Sequence, residues 1–386
     1  MLIYWLELRK LLSSLAVWGF IAVCLLYNIY LVTSYSGDPY ADFVGTVSKD
    51  TGDTLGQSFN EKLSQFSASG EQRGYLEQLR ADTHHVIDVF EDYETKGIGE
   101  SYILAGGATG RFAEAIRDKY LALQKVVDVK AANDESLTLY FGESTYNQHQ
   151  KLFNGLTGWL IVEGALISVL MVFLSVGYEN NQKTGAVVYS TRVGRRILRT
   201  KMTSSLSAGI GVYALLALCT FLIYFLLNDY KGIWGSSVSS VFNYRFDVFA
   251  GHRPFVTWYS FNVFTYFLAM LGMSAGVIVC LSLTAICVGV FIRNHYIGFM
   301  VFLAINAAFI VFPMQIPQTM TESLYVKYYS MLSPVWLWLK HSLWFTDGDS
   351  DILWPHFESL GLCVSLIVLI ALCLLALIYF RKRDLT

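Results

Sequence analysis

Apolar residues gather in six long runs, at about 15–35, 153–176, 205–227, 259–292, 296–312 and 359–380, separated by polar stretches of very unequal length. A helix needs roughly 17–25 mostly apolar residues to cross a bilayer, so each run predicts one membrane span. The polar stretches carry patterns of their own. Residues 1–12 are too few to span. There Glu7, Arg9 and Lys10 fall within roughly 160° of a helical wheel and Tyr4, Trp5, Leu8, Leu11 and Leu12 lie opposite, which predicts an interfacial helix lying flat on the membrane. Between the first two runs, residues 55–94 show helical patterning, and 111–132 place Phe112, Ile116, Tyr120, Leu123 and Val127 at spacings of three and four. Residues 97–110 break the two, and 137–141 read as a short extended piece. The fifth run stops at Pro313. Beyond it, 325–345 is rich in Trp and Tyr but interrupted by Pro334, which predicts helices dipping partway into the interface rather than a seventh span.

Composition and charge sharpen this picture. Of 386 residues 54% are hydrophobic and 15% charged, with a mean hydropathy of +0.45. Soluble globular proteins carry about 25% charged residues, so an all-α integral membrane protein with six spans is expected. The net charge of -2 hides a split: residues 38–151 hold 19 acids against 11 bases, a net of -8 that leaves +6 for the rest. The loop 177–201 holds Lys183, Arg192, Arg195, Arg196, Arg199 and Lys201 against Glu179 alone. A short basic loop between spans marks the cytoplasmic face. Both termini then lie inside, and the acidic stretch, one span away, lies outside as a mainly helical extracellular domain. Region 314–358, with Lys327 and Lys340 against five acids, suits the outer side, and Arg381-Lys382-Arg383 anchors the last span inside. Three pieces follow: 1–37 with the first span, the domain 38–151, and 152–386 with spans two to six, a loop at 178–204 and the outer region 314–358. Charges at Glu7, Arg9 and Lys10 ahead of a full-length span do not make a cleavable signal peptide.

The basic loop has an internal order. Tyr178-Glu179 ends the second run, Gly185 follows Glu179 by six, and small and apolar residues come next. Ser190-Thr191-Arg192-Val193-Gly194-Arg195 then forms a turn, and Lys201 opens the third run. This order resembles the cytoplasmic loop after the second span in the ABC type-2 permease family, the membrane subunits of many bacterial ABC exporters. Members often carry Pro where this chain has Arg192. The resemblance covers about 270 of the 386 residues and omits the extracellular domain. It implies an elbow helix at 1–12 and a coupling helix in the loop that docks on a separate ATPase subunit through Glu179, Lys183, Gly185, Thr191, Arg192, Gly194, Arg195, Arg196 and Lys201. It further implies two permease subunits, identical or paired with a related chain, and two copies of the ATPase, which bind ATP and Mg; this chain holds no cofactor and no nucleic acid. The place is the bacterial plasma membrane, multi-pass. The cargo expected is an antimicrobial peptide or drug moved outward, with sodium or another cation as the alternative, since an acidic outer domain attracts cations by its field. A receptor-like sensor, with the acidic domain outside and the basic loop signalling inward, is the rival from another class.

Other motifs weigh less. Residues 177–184 match a phosphate-binding loop except that Gln182 stands at the second glycine, whose amides wrap the phosphates, so no ATPase and no other enzyme activity is expected of this chain. Asp347, Asp349, Asp351 and Glu358 take positions 1, 3, 5 and 12 of a calcium loop, but Ile352 replaces its turn glycine and Trp354-Pro355 intrude. His84, His85 and Asp88 lack the further ligands a metal needs, and Lys183-Thr184-Gly185 lacks the Ser-x-x-Lys partner of penicillin-binding enzymes. All six cysteines sit in apolar runs as packing residues. Glu163, about ten residues into the second span, is different: a carboxylate at that depth costs on the order of 2.5–3.5 kcal/mol. It is a candidate for the translocation path or a subunit seam, with Asn306 in the fifth span a weaker one.

Overall fold

A computed structural model of the chain describes residues 2–34, 38–140, 146–184, 187–188, 194–247, 251–292, 294–315 and 321–382. It is about 75% helical. Six helices, Leu15–Ser34, Gln148–Val176, Ile197–Leu227, Val263–Phe291, His295–Gln315 and Phe357–Phe380, are long and apolar enough to cross a membrane, which makes this a multi-pass membrane protein. They are numbered here as spans one to six.

Burial separates the centre of the bundle from its rim. Spans two and four are 67% buried, span five only 17%. In lipid, helices associate through close packing, which small residues permit. A Cβ added at Gly209 of span three would come within 2.4 Å of Ser168 Oγ on span two, and one at Gly164 within 2.6 Å of Ile278 on span four. Gly276 gives span four the same closeness to Leu362 of span six.

Helix ends depart from the apolar runs where helix and membrane are different things. Span three begins at Ile197 rather than at 205, and its 31 residues make a rod of roughly 46 Å, well beyond the roughly 30 Å of hydrocarbon. Span two is entered through the short helix Tyr146–Gln150 and a π-helical segment, Lys151–Leu156. Span four starts after a capping box, in which the Thr265 N–H donates to Asn262 Oδ1 and the Asn262 N–H donates to Thr265 Oγ1. Pro313 does not end span five; it lies inside the helix, which continues to Gln315.

The N-terminal helix Leu2–Leu12 lies against span three near its start. At the other end of the bundle, helices Pro39–Thr51, Gln57–Gln65 and Gln72–Thr83 bring Tyr40, Val44, Phe59, Leu63, Leu76 and Leu79 into the core shared with the spans. Helix Arg111–Ala132 buries Phe112, Ile116, Tyr120, Leu123 and Val127, as their spacing predicts, in a second core with Val256, Trp258, Tyr328 and Leu353. Residues 97–110 are not the break expected. Helix Lys96–Gly106 occupies most of them, because Gly99 faces helix Arg111–Ala132 so closely that a Cβ would sit 3.1 Å from Tyr120. Of the extended piece expected at 137–141, Leu137 instead closes the 3-10 turn Glu135–Leu137 and Thr138 forms an isolated antiparallel bridge with Thr54, flanked by hydrogen bonds from the Leu55 N–H to Leu137 O (2.7 Å) and from the Leu139 N–H to Asp53 O (2.5 Å), while Phe141 lies outside the described residues. Tyr244–Asp247 (β1) and Gly251–Pro254 (β2) pair antiparallel. Helices Thr321–Ser330 and Pro334–Leu339 flank the interruption at Pro334, which sits in the first turn, where its missing N–H costs nothing.

Candidate functional site

Span two ends at Val176, and a single helical turn, Tyr178–Asn181, follows it. Glu179 on that turn meets Lys201, one turn into the helix of span three. The Lys201 ammonium donates to Glu179 Oε2 and to Ser175 O, both at 2.5 Å, and lies 3.7 Å from Glu7 Oε2 of the N-terminal helix. Lys10 completes the group, 3.5 Å from Glu7 Oε1, 3.9 Å from Glu179 Oε1 and 3.1 Å above the centre of the Tyr178 ring. Glu7, Glu179 and Lys201 are all under 8% exposed. Buried charges are tolerated only in such company. Here two carboxylates and two ammonium groups balance, and they come from three elements. The cluster therefore fixes how the N-terminal helix, the end of span two and the start of span three meet. It is a clamp at the foot of the basic loop.

The remaining loop positions separate from that clamp. Lys183 is exposed with a left-handed backbone (φ 54°), Gly194 (φ 49°) opens the short 3-10 turn Gly194–Arg196, and Arg196 and Arg199 are exposed. Gly185, Thr191, Arg192 and the Arg195 side chain lie outside the described residues, as does Arg383. The structure thus joins Glu179 to Lys201, leaves Lys183 and Arg196 facing outward, and adds Glu7 and Lys10, which the loop pattern alone did not single out. Their signal was charge within a short, otherwise apolar helix.

A second polar group lies within the bundle. The Asn28 amide of span one donates to Glu163 Oε2 of span two at 2.8 Å and to Thr220 Oγ1 of span three at 3.1 Å. Glu163 is 6% exposed, so it faces the bundle and not lipid. Asn306 does not join it: its amide donates to Phe302 O of its own helix at 2.8 Å.

The acidic loop before span six is neutralised from within. Asp347 pairs with Arg253 (2.7 Å), Asp349 with Lys340 (2.7 Å), and Asp351 with both Lys327 (3.1 Å) and Lys340 (3.2 Å). Three of the four carboxylates a calcium ion would need are committed to cations, and the fourth, Glu358, is buried at the start of span six.

Comparison of the chain with family models, curated proteins and solved structures returns no match.

Proposed function

We propose that the chain is the permease subunit of an ATP-driven exporter of the ABC type-2 kind, with the basic loop as the docking surface for a separate ATPase. The observation that carries the reading is the buried Glu179–Lys201 pair, with Ser175 O, Glu7 and Lys10 around it. It anchors both feet of the loop to the spans and to the N-terminal helix, so a push on the loop is delivered to three elements together. Exposed Lys183, Arg196 and Arg199 present basic charge beyond those feet. In this reading the loop and both termini are cytoplasmic, helix Leu2–Leu12 is the elbow, and the acidic helices of 38–151 are extracellular. Two such subunits, or this chain and a related one, sit in a bacterial plasma membrane above two ATPase copies that hold ATP and Mg. The apolar span five, only 17% buried, offers surface to lipid or to the second subunit. Glu163, held by Asn28 among three spans, is the residue proposed for the translocation path. An antimicrobial peptide or drug is the proposed cargo, and sodium or another cation the alternative.

The test is a mild-detergent purification from the native host, wild type beside a variant with Arg195 and Arg196 changed to Glu. The expected result is an ATPase subunit and ATP hydrolysis with wild type, both falling about tenfold or more in the variant, the effect of losing a little over 1 kcal/mol at the docking surface. Glu163→Gln is expected to assemble normally and to lose export; unchanged export removes Glu163 from the path. If no ATPase accompanies wild type, the exporter reading fails and the receptor reading takes its place.

A further inference from the structure

At the end of the bundle that carries helices 39–132, the π-helical entry to span two borders a cavity of about 150 Å³. Single-turn π segments recur at functional sites, and this one places Phe153 in the wall. Tyr140, Tyr146, Phe255 and Tyr266 line it too, together with Asn243 and with His149, whose ring stacks on Tyr140 (centroids 3.7 Å apart) and on Phe153 (5.5 Å). The rings stand across one another: Phe153 and Tyr266 meet at 71° with centroids 4.9 Å apart, and Phe255 and Tyr266 at 89° and 6.1 Å. They come from different parts of the chain, so the box is a product of the fold and not of one aromatic stretch.

One polar group at the box keeps an atom without a partner. The Asn243 amide donates to Val238 O at 2.8 Å, which fixes its orientation and leaves Oδ1 buried without a hydrogen bond. A buried oxygen left in this state costs about 1–3 kcal/mol, so it favours an occupant of positive potential. No lysine or arginine lines the cavity among the described residues.

We propose that this cavity binds the head of a small organic cation of the quaternary-ammonium type. Aromatic faces carry negative potential and attract such cations within about 6 Å of a ring centre. A void of about 150 Å³ holds a benzene-sized group, which is also the scale of a tetramethylated nitrogen. Beside the rings the lining offers the polar side chains of His149, Gln150, Asn154, Asn243 and Ser342; a methylated head, which donates no hydrogen bond, needs none of them and is held by the rings. An anion would meet aromatic rings and the Asn243 Oδ1. The site is built from this chain alone and stands apart from the exporter reading.

The same head group occurs on free molecules and on choline lipids, and the experiment separates them. The full chain, in nanodiscs of phosphatidylglycerol, is dialysed against radiolabelled choline with tetramethylammonium or uncharged 3,3-dimethylbutanol as competitor. The result expected is saturable binding displaced by tetramethylammonium and not by the uncharged isostere. Half-buried Tyr146 can be changed without opening the core: Tyr146→Ala is expected to weaken choline binding about tenfold, and Tyr146→Phe, which keeps the ring, to retain it. Phosphatidylcholine in the disc that depresses choline binding identifies a lipid head as occupant; no depression identifies a free cation. Absence of saturable binding to cooperatively melting wild type overturns the proposal, as does equal displacement by the isostere or unchanged binding in Tyr146→Ala.

Discussion

Lys201 is 1% exposed and holds its charge through Glu179, Ser175 O and Glu7. Removing one partner of a buried pair leaves the other charge uncompensated, which costs about 3–5 kcal/mol, whereas removing both is far milder. Lys201→Met is therefore expected to lower the thermal midpoint of the purified chain strongly. Adding Glu179→Gln to it is expected to recover a large part of the loss. A single variant that melts like wild type, followed by fluorescence in detergent, would contradict the buried pair. At this scale the sequence was partly legible. Glu179 and Lys201 stood out because they interrupt apolar runs, and Glu163 because a carboxylate is costly inside a membrane. Glu7 and Lys10 stood out only as charges on a short, otherwise apolar helix, and Asn28 and Thr220 not at all, since what makes them part of a site is which distant element folds back against them. Neither Asn243 nor the aromatic box has any local signal at all.

Among the elements, spans two and three make the tightest seam. At Gly209 an added Cβ would meet Ser168 Oγ at 2.4 Å, Ser168 Cβ at 2.7 Å and Ser168 Cα at 3.2 Å. The last is backbone and cannot rotate away, so the helices themselves must part. Gly209→Val is expected to destabilise the bundle by about 1–3 kcal/mol, the usual range for overpacking. Gly211, two residues on, has nothing within 4 Å, and Gly211→Val is the matched control with little effect. Equal melting of the two variants would show that the seam is not where the close approach puts it. The same glycines explain which elements the sequence conveyed. Hydropathy reports where lipid lies, so six spans were legible, but it says little about a helix that continues past the membrane, as at Ile197. Glycine read as a breaker hid helix Lys96–Gly106, where Gly99 serves close packing on Tyr120. Pro313, read as a stop, falls within the fifth helix because the Pro-bearing turn lies so near its end.

On the scale of the whole molecule, the acidic stretch is tied to the late chain by buried cations. Lys130 donates to Glu135 at 2.7 Å and to Tyr259 O at 3.2 Å. Lys119 donates to Asp347 O at 2.9 Å and Ile352 O at 2.7 Å, beside the Arg253–Asp347 pair. The sequence showed only a net of -8 there and no sign of this join, because the partners in the late chain lie 129 to 233 residues away. Burial pushes the Lys119 ammonium down from 10.5 to about 8, against the pull of Asp347 and Asp349. Between those two values the unfolded chain binds more protons than the folded one, so stability rises with pH across that window and is level below it. The gain from pH 8 to 10.5 is about 3 kcal/mol at most. Other groups titrate there too, so the quantity to follow is the stability of wild type minus that of Lys119→Met, measured by denaturant unfolding at each pH. That difference is expected to climb across the window. A flat difference would mean that Lys119 keeps its solvent-exposed affinity for protons and that the join between the acidic helices and the loop before span six is open to water.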